Sequence, residues 1–90
     1  MNYEVNILPE AEAHIIWHKR SGNKAVVNKI VNLLEELENH PRSGTGKPEQ
    51  LKHNLAGKWS RRINREHRLI YTIEDNKVIV EVISAKGHYE

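Results

Sequence analysis

From Val26 onward the apolar residues of this chain change their spacing once, and that change points to helices packed on a sheet. Val27, Ile30, Leu34 and Leu37 recur every three or four residues, in a stripe widened by Val26, Val31 and Leu33. That is the period of a helix with one buried side. Further on, Leu69, Tyr71 and Ile73, then Val78, Val80 and Val82, recur at every second residue. That is the period of a strand with one buried face. Pro41 to Gln50, with two Gly and two Pro, separates the two patterns as a loop.

The remaining elements follow from local signals. Tyr3 to Leu8 alternates loosely and reads as a first strand. Pro9 suits the first turn of a helix, and Glu10 and Glu12 complement its N-terminal dipole. This helix is expected to run to about Arg20 and stop near Gly22. Asn23 then caps a second helix that ends near His40, before Pro41. Strands are expected near Lys58–Ile63, His67–Glu74 and Lys77–Ser84. The expected fold is α+β: one domain over residues 1–90, with an N-terminal strand and a helical hairpin packed on an antiparallel sheet.

The last hairpin can be read in register. A two-residue turn at Asp75-Asn76 sets Leu69, Tyr71 and Ile73 opposite Val82, Val80 and Val78, on one apolar face. Arg68, Ile70 and Thr72 fall on the other, mixed face. In the preceding hairpin, a loop of Asn64-Arg65-Glu66 sets Arg62 opposite Arg68; a two-residue loop would set Arg61 there instead. Either loop makes two guanidinium groups cross-strand neighbours, and the residues alone leave the choice open. Like charges directly opposite are destabilising, whereas a phosphate between two guanidinium groups would reward the pairing.

Composition narrows the function. The chain is 38% hydrophobic and has no cysteine, which removes disulfides, thiolate metal sites and thiol nucleophiles. No apolar run approaches the ~20 residues of a membrane span, and the N-terminus lacks a signal-peptide pattern. A cytoplasmic protein with no membrane association is expected. Net charge is only +2, yet Arg42 to Arg68 holds eight Lys/Arg against Glu49 and Glu66. A local basic field of this kind suits a polyanion such as nucleic acid, although a solvated charged face is the ordinary alternative.

Within that basic segment lies a set of groups suited to cutting RNA. RNA carries its own nucleophile, the 2′-hydroxyl. Cleavage needs a base for its proton, cations for the phosphorane charge and an acid for the leaving 5′-oxygen. Glu49, stiffened by Pro48 and flanked by Lys47 and Lys52, is the base candidate. Lys52, Arg62 and Arg68 are candidates for charge stabilisation. His88 is the acid candidate, since imidazole titrates near neutrality. Tyr89 can orient the phosphate or stack on a base. Each has a plainer reading: a surface ion pair for Glu49, one exposed and one paired residue for Arg61-Arg62, and an ordinary tail for His88-Tyr89. His14 and His18 sit four apart, a spacing that can bind zinc, but a surface or packing role is favoured and no metal or cofactor is expected. Trp17 is assigned to packing. For Trp59, core packing is favoured over stacking on RNA. The stripe of the second helix is core, or a homodimer seam.

The run Gly46-Lys47-Pro48-Glu49-Gln50-Leu51-Lys52-His53-Asn54-Leu55-Ala56-Gly57-Lys58-Trp59-Ser60-Arg61-Arg62-Ile63, with Glu66-His67-Arg68-Leu69-Ile70-Tyr71 and His88-Tyr89, resembles the Txe/YoeB family of toxin–antitoxin toxins in the RelE/ParE superfamily. The resemblance is weak over the first forty residues. It implies a ribosome-dependent mRNA endoribonuclease that acts at the ribosomal A site and leaves 2′,3′-cyclic phosphate ends. It implies Glu49 as general base, His88 as general acid, and Lys52, Arg62, Arg68 and Tyr89 as supporting groups, and it favours the three-residue loop that sets Arg62 opposite Arg68; Glu66 and Arg61 also match without a defined role. Arg62 and Arg68 are assigned to the reacting phosphate, and Lys47, Lys52, Arg61 and Tyr89 are the RNA-binding candidates. The implied partners are a cognate antitoxin, the ribosome and mRNA. Glu90 extends past the Tyr at which many members end, and Ser84–Gly87 is slightly longer than in some relatives. The alternatives are a non-catalytic toxin of the same superfamily, which would lack the Glu/His pair, and an RNA-binding module, which would need no carboxylate in the patch.

Overall fold

The computed structural model describes residues 2–87. Five strands and two helices follow one another as β1 (Glu4–Ile7), α1 (Pro9–Arg20), α2 (Lys24–Asn39), β2 (Glu49–Gln50), β3 (Trp59–Arg62), β4 (Arg68–Glu74) and β5 (Ile79–Ser84), with a 3-10 turn at His53–Leu55. The sheet order is β1-β5-β4-β3-β2. Both helices lie where the sequence signals put them. Pro9 opens α1, and the Asn23 side chain caps α2 by accepting a hydrogen bond from the Val26 amide at 3.1 Å.

The sheet is mixed, which corrects the antiparallel expectation. β1 runs parallel to β5, with Val5 beside Val80 and Ile7 beside Val82. The alternation that marks a strand carries no direction. The direction follows from the connection, because the chain leaves β1 into two helices and returns to its edge only with β5, and a long crossover permits parallel pairing. β2 is the other addition, a two-residue strand within the segment read as loop.

The helices cover the face that carries Leu69, Tyr71, Val80 and Val82, all fully buried. α2 meets this face with Val26, Ile30, Leu33 and Leu37, while Val31 is exposed and Leu34 only partly covered. The buried stripe is thus rotated towards Val26 and Leu33 from the one read in the sequence. Each fully buried aliphatic side chain contributes roughly 1.5–3 kcal/mol by leaving water.

The β4–β5 register is shifted by two residues from the two-residue-turn reading. Tyr71 faces Val82 and Ile73 faces Val80, with a bulge between Ile70 and Tyr71. A shift of two keeps every paired residue on its face, so the apolar assignment survives for Leu69, Tyr71, Ile73, Val80 and Val82, whereas Val78 leaves the strand for the turn. The turn spans residues 75–78, with Val78 at a left-handed φ of 57°. Asp75 is also held by long-range partners: Arg42 at 2.6 and 3.2 Å and the Tyr3 hydroxyl at 2.8 Å. These bonds, the Tyr3 bond after that from Arg42, keep the Asp75 carboxyl below the usual carboxylate range. In the β3–β4 hairpin, the Asn64 side chain accepts from the amides of Glu66 and His67, and the Ile63 amide donates to the His67 carbonyl. Arg62 therefore faces Arg68, as the three-residue loop requires.

Candidate active site

Alternation along β3 decides the fate of two adjacent arginines. Arg61 points with Leu69 into the core face and Arg62 with Arg68 out of the opposite face. Arg62 is exposed and Arg68 partly so. β2 brings Glu49 to the same outer face, because Glu49 pairs with Ser60, two residues before Arg62. The result is a carboxylate and two guanidinium groups on one face of three adjacent strands. Glu49 Oε1 lies 3.6 Å from Arg68 Nη1, with the two side chains 58% and 23% exposed. An exposed pair at that distance is worth under ~1 kcal/mol, so an anion reaching this face would displace it at small cost.

The loop before Glu49 is fixed by its backbone. The Gly46 carbonyl accepts from the Arg62 amide at 2.7 Å. Gly46 has φ +85°, and a Cβ there would lie 2.8 Å from the Arg62 carbonyl oxygen. Only glycine lets the loop lie this close to β3. Lys47 and Lys52 are exposed on either side of Glu49. A surface hollow of about 310 Å³ is lined by residues 49–55 and so includes Lys52 and His53 beside Glu49. His53 sits in the quoted run, but nothing in the sequence pattern singled it out.

Arg61 does not join this cluster. It is fully buried, which corrects its assignment as an RNA-binding cation and matches the plainer reading of one exposed and one paired arginine. Its Nε donates to the Tyr71 hydroxyl at 3.1 Å and its Nη1 to Glu36 at 2.9 Å. Nη1 also reaches the Thr45 carbonyl at 3.4 Å, and Nη2 reaches the carbonyls of Ser43, at 2.7 Å, and His40. Tyr71 passes the contact on by donating to the Pro41 carbonyl at 2.8 Å, and burial pushes its phenol above the ordinary value. Burial opposes ionisation of Glu36, but bonds from Thr45 and Arg61 outweigh it, and its carboxyl is held below the ordinary value. Arg61 thus pins residues 40–45, the approach to the Glu49 loop, to the core.

Three histidines gather around the end of β5. The Ala85 amide donates to His14 Nδ1 at 3.1 Å, His18 Nε2 donates to the Ala85 carbonyl at 2.8 Å, and the Gly87 amide donates to His67 Nδ1 at 3.0 Å. The Arg68 amide donates to the Gly87 carbonyl at 2.8 Å, so the end of the described chain is fastened to a site residue. The packing role expected for His14 and His18 is the one found. No group of His, Cys, Asp or Glu suited to a metal ion occurs among the described residues. Trp17 is 45% exposed, with the Lys86 ammonium 4.1 Å from its ring centroid. Trp59 packs against the core beneath Arg42. His88 and Tyr89 lie outside the described residues. Among the described residues, no helix is long and apolar enough to cross a membrane.

Comparison with known proteins places the chain in a family. Residues 10–89 match the family described as the YoeB-like toxin of bacterial type II toxin-antitoxin systems. The chain is 42% identical over 84 residues to Toxin YoeB of Synechocystis sp., a match that covers 89% of this chain and 95% of that protein. The fold is similar to the YoeB dimer from Staphylococcus aureus, with a TM-score of 0.82 and 40% identity over 99% of this chain and 100% of that one. It is equally similar to the toxin in the YoeB-YefM complex from Staphylococcus aureus, with a TM-score of 0.81 and 39% identity at the same coverage. A cluster of one carboxylate and two arginines on the outer face of a helix-covered sheet is therefore carried by a member of the YoeB-like toxin family of bacterial type II toxin-antitoxin systems.

Proposed function

We propose that this toxin is an endoribonuclease that cuts mRNA on the ribosome. The observation that carries the reading is the Glu49 carboxylate 3.6 Å from the Arg68 guanidinium, with Arg62 paired across from Arg68 on the same exposed face. A phosphodiester laid on this face would place its non-bridging oxygens on the two guanidinium groups, which suit bidentate contact with phosphate. Glu49 takes the proton of the 2′-hydroxyl. The 2′-oxygen attacks phosphorus and displaces the 5′-oxygen, and His88 returns a proton to that oxygen. The products are a 2′,3′-cyclic phosphate and a 5′-hydroxyl. Lys47, Lys52 and Tyr89 hold the RNA. Arg62 and Arg68 neutralise the charge that builds on the phosphorane, often the largest single contribution in such sites.

The working location is the cytoplasm, where ribosomes and mRNA are found. The partner is a cognate antitoxin, by analogy with the complex of the Staphylococcus aureus relative with YefM. The dimer of the same relative makes a homodimer a further candidate state.

The test is cleavage in a translating extract, mapped by primer extension, with and without ribosomes. Wild type should cut only with ribosomes present. Glu49→Gln and His88→Gln should each lose roughly 10²–10⁴-fold in rate while keeping their melting temperature. Near wild-type cleavage by either variant would remove that residue from its role. Growth arrest by the toxin without mRNA cleavage would instead favour the non-catalytic alternative.

A further inference from the structure

The three histidines beside β5 are not accounted for by cleavage chemistry, yet they hold the stretch of chain that leads to His88. The bonding atoms fix their protonation. A backbone amide can only donate, so His14 Nδ1 and His67 Nδ1 must carry lone pairs to accept from Ala85 and Gly87. A carbonyl can only accept, so His18 must carry its proton on Nε2. Both contacts require a bare Nδ1, and an imidazolium has no lone pair to offer there.

The rings also pack on one another. His18 and His67 lie edge to face at 4.7 Å between centroids, and Trp17 contacts both, at 5.2 and 6.2 Å. His18 is 1% exposed and Ala85 fully buried. Gly87 is bracketed by the His67 ring on its amide and the Arg68 amide on its carbonyl, in a left-handed conformation at φ +74°.

We propose that His14, His18 and His67 are positioning residues for the reaction. They clasp Ala85 and Gly87 only while His14 and His67 are neutral, and so fix where the chain enters the site beside Arg68. This rests on the ribonuclease reading, in which His88, the next residue after Gly87, is the acid. The groups that face His67 make its protonation unfavourable. Burial is the leading cause that holds it below its ordinary value, helped by His18 and His14 from α1 and Lys86 from the tail and opposed by Glu66 from its own turn. Acid must then break both amide contacts and place new charge beside Lys86.

The test uses the full-length chain and the double variant His14→Asn/His67→Asn. An Asn oxygen stands close to where Nδ1 stood and still accepts, but it does not titrate. The first readout is the Ala85 and Gly87 amide shifts by NMR, from about pH 7.5 to about pH 5.5. In wild type both should move with the imidazole titrations; in the double variant both should stay flat. The second readout is ribosome-dependent cleavage, each protein normalised to its own rate at about pH 7.5. Wild type should lose roughly tenfold more rate than the variant on acidification, as expected for losing two hydrogen bonds. A merely structural role would leave the two normalised profiles superimposed, and that outcome overturns the proposal. Amides of Ala85 and Gly87 that ignore pH in wild type, or that titrate equally in the variant, overturn it as well. If wild type fails to cut RNA at any pH, the ribonuclease reading falls and the amide shifts still decide the clasp.

Discussion

Replacing Arg61 with Met keeps much of the side chain's apolar length and removes its guanidinium. Five hydrogen bonds are lost, to Tyr71, Glu36 and the carbonyls of His40, Ser43 and Thr45. At about 1.5–3 kcal/mol for a bond to a charged group, their plain sum would be as large as the ~5–15 kcal/mol that holds a typical domain together. The real loss is smaller for structural reasons. Glu36 is 28% exposed and can rehydrate. His40, Ser43 and Thr45 lie on exposed loop positions, and Tyr71 keeps its bond to Pro41. The expected cost is about 3–5 kcal/mol, in the range found when one member of a buried pair is deleted. At ~4–8 °C per kcal/mol for a chain of this size, the melting temperature should fall by at least about 12 °C. The assay is thermal and urea denaturation of wild type and variant, with hydrogen exchange at the amides of Thr45 and Arg62. Both amides should lose protection, because the first donates to Glu36 and the second to Gly46 of the pinned loop. A shift under ~4 °C together with weakened RNA affinity would refute the structural assignment and restore Arg61 as a surface RNA ligand.

Arg68→Lys should reduce single-turnover cleavage far more than ribosome binding, because Lys cannot make the bidentate contact; full activity would point to charge steering alone. Gly46→Ala forces a Cβ to within 2.8 Å of the Arg62 carbonyl at a positive φ, and should cost roughly 1–3 kcal/mol, read as a lower urea midpoint. The folded-state value for His67 lies below 6.5, so the unfolded chain takes up the proton first. Stability should be complete above about pH 6.5 and lost as pH falls through the folded-state value, and His67→Asn should flatten that part of the stability curve. Deleting His88, Tyr89 and Glu90 together should abolish cleavage yet barely move the melting temperature; a large stability loss would make the tail structural. An antitoxin segment that covers the Glu49–Arg68 face should bind more weakly as salt rises and protect that face in hydrogen exchange.

Much of the fold was legible in local signals, because those signals act within a few residues. Pro9 and Asn23 start helices by backbone geometry and capping, and the structure places both as the sequence implies. The pairing of Arg62 with Arg68 was only half legible: the local pattern allowed Arg61 or Arg62 opposite Arg68, the family resemblance favoured Arg62, and the Asn64 side chain closes the turn that way within the hairpin. What failed depended on partners far along the chain. The β4–β5 turn lengthens where Arg42 and Tyr3 take hold of Asp75, and no feature of Asp75-Asn76 announces them.

The chain's residue types and their spacing determine the layers, the strand and helix faces, and the placing of a carboxylate and arginines near one strand pair. Only the tertiary structure decided what two chemically identical neighbours do. Arg61 and Arg62 differ by one step of the strand, and that step sends one into the core to hold a loop and the other out towards solvent. It also decided the histidines, whose partners on Ala85 and Gly87 are more than 65 residues away for the two on α1 and 20 for His67. A side chain's chemistry is written in the sequence. Its role depends on which atoms the fold brings within hydrogen-bond reach, and those contacts arise only when the helices close over the sheet.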